Sequence, residues 1–112
     1  MHELQCKPCK KGATPVTDDE ITTMLVDIPE WEVLEYDGVK RLRRRFKFSN
    51  FVKAIAFTNV VSEIAEAQQH HPAILTEWGQ VTVSWWTHSI GGLHKNDFIM
   101  ASRTDRLEHA ES

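Results

Sequence analysis

The chain has 112 residues, 41% of them hydrophobic and 26% charged, with a formal net charge of −3 and a sequence pI of about 6.0. That length holds one domain around one modest core, and the acidic balance excludes a global attraction to phosphate polymers, leaving only a local basic patch for nucleic acid. No apolar run approaches the ~18 residues that span a bilayer, and the N-terminus lacks the apolar stretch of a secretory signal, so the expectation is a cytoplasmic protein with no membrane partner.

Residues 1–16 are interrupted by Pro8, Gly12 and Pro15 and show no periodic apolar face, so they read as a flexible arm. Within it, Cys6 and Cys9 form a lone Cys-Lys-Pro-Cys unit; a disulfide framework needs more cysteines and a zinc site two further ligands. Thr17-Asp18-Asp19-Glu20 has the pattern of a capping box. Ile21, Met24, Leu25 and Ile28 follow it at helical spacing, and Pro29 stops that helix.

Trp31 to Tyr36 and Val39 to Phe48 flank Asp37-Gly38, a dipeptide suited to the positive φ angles of a tight hairpin. In the second strand Leu42, Arg44, Phe46 and Phe48 share one face, and Arg41, Arg43, Arg45 and Lys47 the other. Ser49 or Asn50 caps a long helix running to about Gln69, with Phe51, Ile55, Phe57, Val61 and Ile64 as its apolar side. Pro72 prevents simple continuation, which leaves His70 and His71 at the helix end.

Ile74 and Leu75 suggest a short strand. Gln80 to Thr87 is the better one, with Val81, Val83 and Trp85 opposite Thr82, Ser84 and Trp86, and His88 emerges at its end. After Gly91-Gly92, Asp97 to about Leu107 reads as a final helix packing through Phe98, Ile99 and Ala101, with 108–112 as a tail. The expected fold is α+β, an antiparallel four-stranded sheet with three helices on one face, in a single domain over 17–107. The uncovered face, with its tryptophan and aliphatic content, favours oligomerisation.

Histidine is the side chain that titrates nearest neutrality, so His70, His71 and His88 converging with Asp97 would suit proton transfer. Glu66, four residues before His70, lies on the same helical face and can orient an imidazole. Asp97 equally suits a helix N-terminus, and any one of these histidines taken alone is an ordinary surface residue. A metal held by His70, His71 and His88 is the competing reading, weakened because adjacent histidines on a regular element diverge and no His-Glu-x-x-His is present. Of Trp31, Trp78, Trp85 and Trp86, at most one or two are expected to touch a planar ligand, since aromatic residues in a small domain are more often core or interface. Nucleophilic serine, phosphate-loop and dinucleotide motifs are lacking.

Glu66-x-x-x-His70-His71-Pro72, Trp78-Gly79-Gln80-Val81-Thr82-Val83, Thr87-His88, Gly92-Leu93 and Asp97-Phe98-Ile99-Met100-Ala101 together resemble the pterin-4a-carbinolamine dehydratase family, from about Thr17 to Leu107. The resemblance is greatest to the bacterial form associated with phenylalanine hydroxylase. It implies dehydration of a 4a-hydroxytetrahydropterin to quinonoid dihydropterin and water, without metal or organic cofactor, in tetrahydrobiopterin recycling. It implies a homodimer or a dimer of dimers, with His70, His71 and His88 as catalytic residues and Glu66 and Asp97 as their acidic partners; Thr87 and Trp31 are further candidates for binding or orienting the substrate. His70 and His88 are then the acid and base candidates, while His71 chiefly orients the pterin.

The chain departs from the family pattern in three places. Ala73-Ile74 stands where many members have Trp as the second residue, Asn96 where Arg is frequent, and His94 where Ser or Thr is usual. The second reading is a protein-binding module acting as a transcriptional cofactor through the basic strand Lys40 to Lys47, with nucleic acid the less favoured partner.

Overall fold

The computed structural model describes the backbone of residues 15–111 and the side chains of 15–108. Cys6, Cys9 and the arm before Pro15 lie outside the described residues. In chain order the elements are α1 (Asp18–Leu25), β1 (Glu32–Tyr36), β2 (Val39–Lys47), α2 (Phe51–Gln68), β3 (Ala73–Glu77), β4 (Gln80–Trp85), a short 3-10 turn (His88–Ile90) and α3 (Lys95–Glu111). The four strands form one antiparallel sheet in the order β1-β2-β4-β3, so the fold is α+β as expected. Both hairpins are local, but β4 inserts between β2 and β3, and α2 carries the chain across that gap.

Local chemistry accounts for the boundaries. The Thr17 hydroxyl accepts from the Glu20 N–H at 3.2 Å while the Thr17 N–H donates to the Glu20 carboxylate at 2.8 Å, a complete capping box. Those bonds hold the Glu20 carboxyl below its ordinary value. The box's stabilising effect is therefore present above the unfolded carboxyl's pKa and lost as pH falls through the lowered folded one. Asp37 (φ 50°) and Gly38 (φ 79°) make the expected hairpin turn. Asn50, not Ser49, caps α2 by accepting from the Lys53 N–H at 2.9 Å.

Two ends differ from expectation. The Val16 N–H donates to the Leu93 carbonyl at 2.9 Å, and Val16 packs on the core, so order precedes Thr17. At the other end α3 starts at Lys95 and runs to Glu111, because neither Gly nor Pro interrupts the helix after Leu107, and Glu108 pairs with Arg44 at 3.0 Å.

One face of the sheet carries the core. Leu42 and Phe46 of β2 and Val81, Val83 and Trp85 of β4 are fully buried and interleave through the register Leu42↔Trp85, Arg44↔Val83 and Phe46↔Val81. Burying each such apolar side chain is worth ~1.5–3 kcal/mol. Arg44 shares this inner face because α3 supplies its counter-charges: Asp105 at 2.7 Å and Glu108 at 3.0 Å, with Phe46 beneath the guanidinium. The alternate row, Arg41, Arg43, Arg45 and Lys47, lies on the open face as the period of two requires.

The buried line of α2 is Ala54, Phe57, Val61 and Ala65. Contrary to expectation, Phe51 and Ile55 are exposed, at 47% and 37%. Ile55 lies roughly 100° around the helix from Ala54, and Phe51 sits in the opening turn.

Candidate functional site

The end of α2 separates the two adjacent histidines. Gln69 takes a left-handed conformation (φ 51°, ψ 42°), and the His70 N–H bonds back to the Ala65 carbonyl at 3.1 Å. Left-handed geometry is costly for a side chain other than glycine. The Gln69 side-chain amide supports it by donating to the Glu66 carbonyl at 2.8 Å. Past this turn His70 goes inward and is 9% exposed, while His71 stays outside.

His70 meets Asp97, which is fully buried: Nε2 lies 2.6 Å from Oδ1. The other carboxylate oxygen accepts from the Thr87 hydroxyl at 2.8 Å and the His94 N–H at 2.8 Å. With Asp97 as acceptor, His70 carries its proton on Nε2, so the neutral ring keeps a lone pair on Nδ1. Trp85 backs the imidazole in a parallel stack, 5.8 Å between centroids, and is itself held by an indole N–H bond to Thr104 at 3.1 Å. Thr87 is fixed by a two-way backbone bridge to Gly92, closed through Gly91 at φ 61°. The carboxylate and the imidazole are thus held from four segments of chain.

His94 was absent from the candidate residues. Its Nδ1 accepts from the Asn96 N–H at 3.1 Å, while its own N–H bonds to Asp97 three positions on. It therefore does at the start of α3 what Ser or Thr does in a capping box. An acceptor side chain three residues before an acidic one, just ahead of an apolar run, is the signal that could have found it.

Outside this group, His71 Nε2 is hydrogen-bonded to the Glu66 carboxylate, with both side chains exposed. His88 Nε2 is 3.4 Å from the His71 carbonyl oxygen, and its ring lies 4.5 Å from that of Trp86. His70, His71, His88, Glu66, Thr87 and Asp97 are therefore connected around the α2 end and the β4 end. Trp31 is not brought to them. Its indole lies edge-on to Phe46 and donates to Asp105 at 2.8 Å, so it belongs to the core beneath α3. Trp78 is 70% exposed in the β3–β4 turn, at the other end of β4 from His88. Among the described residues, no cluster of three His, Cys, Asp or Glu side chains is arranged to hold a metal ion. His70 and His71 point to different carboxylates, so their rings diverge as expected of adjacent histidines.

A family model for pterin 4 alpha carbinolamine dehydratase matches residues 14–107. The chain belongs to the pterin 4 alpha carbinolamine dehydratase family, a family of hydro-lyases. A protein of Microcystis aeruginosa (strain NIES-843 / IAM M-2473), provisionally named pterin-4-alpha-carbinolamine dehydratase, is 60% identical over 107 residues, covering 96% of this chain and 92% of its own. A relative from Marinobacter nauticus (strain ATCC 700491 / DSM 11845 / VT8) with the same provisional name is also 60% identical, with 96% of each chain covered. Among solved structures, a transcriptional coactivator/pterin dehydratase from Brucella melitensis is 28% identical, with a TM-score of 0.76 over 85% of this chain and 99% of that one. A pterin dehydratase-like protein described as a RuBisCO assembly factor shares the fold at 20% identity and a TM-score of 0.60, with 70% of this chain and 89% of its own covered.

Proposed function

We propose that this member of the family dehydrates a 4a-hydroxytetrahydropterin to quinonoid dihydropterin and water by general acid and base catalysis from histidine. The observation that carries the reading is the buried Asp97 fixing both the tautomer and the orientation of His70 beside two accessible imidazoles. The reaction is redox-neutral. A ring-nitrogen lone pair forms a C=N bond to C4a as the C4a–O bond breaks, the departing oxygen takes a proton and leaves as water, and a ring N–H gives up a proton.

His88 is the proposed acid and His70 the proposed base, since the Asp97 carboxylate complements the imidazolium that His70 becomes. His71, held by Glu66, orients the pterin and shares in proton transfer. Thr87 keeps Asp97 in place, and Trp31 has no part in this scheme. The balance calls for no cofactor. Cytoplasmic tetrahydropterin recycling alongside an aromatic amino acid hydroxylase such as phenylalanine hydroxylase is the proposed setting; among the described residues no helix is long and apolar enough to cross a membrane. Exposed Phe51, Val52 and Ile55 on α2 support assembly into a homodimer or homotetramer, and a monomeric solution mass at working concentration would count against it.

The test is to generate the substrate with a pterin-dependent hydroxylase and follow its dehydration. Chelator-treated wild type should accelerate it and His71→Ala should do so less. No acceleration by folded wild type would shift the reading to a protein-binding module, which the name of the Brucella relative and the cationic open face favour. Such a complex should weaken with salt.

A further inference from the structure

His70 has Asp97 and His71 has Glu66, but His88 has no carboxylate partner among the described residues. Its polar contact, to the His71 carbonyl, is 3.4 Å long, beyond the usual range of a firm hydrogen bond. It also sits in a three-residue 3-10 turn and is exposed, so the backbone alone leaves its ring free to change rotamer. What lies against it is Trp86, with ring centroids 4.5 Å apart and planes at 39°.

Trp86 is in turn held from the sheet. Continuing the β2–β4 register one step beyond Leu42↔Trp85 brings Arg41 opposite Trp86, and the Arg41 guanidinium carbon is 4.0 Å from the Trp86 ring centroid. The same guanidinium is 4.9 Å from the Tyr36 ring. Arg41 Nε is buried with no hydrogen-bond acceptor, so the aromatic rings are the contacts that seat this end of the side chain. We propose that Trp86, seated by Arg41, is the positioning residue for His88, doing through ring contact what Asp97 does for His70 through hydrogen bonds. The activity arm rests on the proposed dehydratase reading; the positioning itself does not.

The experiment has two arms. In the first, the His88 imidazole carbon-bound protons are assigned by NMR using His88→Gln. Wild type should show them displaced by the Trp86 ring current. Trp86→Ala should return them toward solvent-exposed values, Trp86→Phe should keep part of the displacement, and Arg41→Ala should reduce it. An unchanged His88 resonance in folded Trp86→Ala overturns the proposal.

In the second arm, misplacing a catalytic group by about 1 Å can cost up to ~100-fold, so Trp86→Ala should lower kcat about tenfold with KM changed less than about twofold. Trp86→Phe should recover most of the loss, and Trp86→Ala should add nothing in a His88→Ala background. Raised KM at unchanged kcat, or losses that multiply in the double variant, overturns it. Inactive wild type with an intact ring-current displacement would defeat the dehydratase reading and leave the positioning standing.

Discussion

His70 and His71 are adjacent and each is bonded through Nε2 to a carboxylate, but the His70–Asp97 pair is buried and the His71–Glu66 pair is solvated. Burial raises the cost of any unpaired polar group, and the inner pair answers it with further donors from Thr87 and His94. The outer pair is open to water and salt, where such contacts are worth ~0–1 kcal/mol. One histidine is thus fixed in a single geometry, while its neighbour is free to follow a ligand. The switch between them is the left-handed turn at Gln69.

The strongest way to break this comparison is Asp97→Ala, which strands His70, the Thr87 hydroxyl and the His94 N–H without their acceptor. Chemical denaturation should show a loss of ~3–5 kcal/mol, and a loss under ~1 kcal/mol would mean that the buried pair is no more demanding than the solvated one. Next comes His70→Ala, for which turnover should fall ~10²–10⁴-fold. Glu66→Gln should slow turnover less than His70→Ala; equal losses would erase the distinction between inner and outer pairs.

His94→Ala should cost about 1 kcal/mol by thermal unfolding, as loss of an N-cap does, and His94→Ser should recover most of it. Failure of Ser to recover stability would mean that the imidazole acts there by packing and not as a cap. The smallest effect is expected for the stability of Glu66→Gln, a change of ~0–1 kcal/mol that shrinks further in salt.

Much of this architecture can be read locally from the chain. Thr17 and Glu20 announce a capping box, Asp37-Gly38 a hairpin, and alternation in β2 and β4 assigns the faces, because each signal depends on residues a few positions apart. The insertion of β4 between β2 and β3 depends on pairings such as Phe46↔Val81, which no local pattern encodes. Arg44 falls on the apolar face by its period, but the Asp105 and Glu108 of α3 that pair with it there are likewise encoded by no local pattern.

The site was legible as a set of residue types, and the family resemblance supplied their grouping. The division of labour was not legible: nothing around Gln69 signals a left-handed residue in the way glycine would. Trp31 stands away from the site because its indole donates to the half-buried Asp105, a partner on α3 that no local pattern around Trp31 reveals. Alternation puts Trp86 on the face opposite Val81, Val83 and Trp85, but its contact with Arg41, and through it the seating of the ring beside His88, depends on the β2–β4 register.

The most direct test of the account is the decay of enzymatically generated 4a-hydroxytetrahydropterin, followed by stopped-flow absorbance with chelator-treated wild type and with the double variant His70→Ala, His88→Ala. The account predicts rapid decay with wild type and decay close to the buffer rate with the folded double variant. Near wild-type acceleration by the double variant would contradict it.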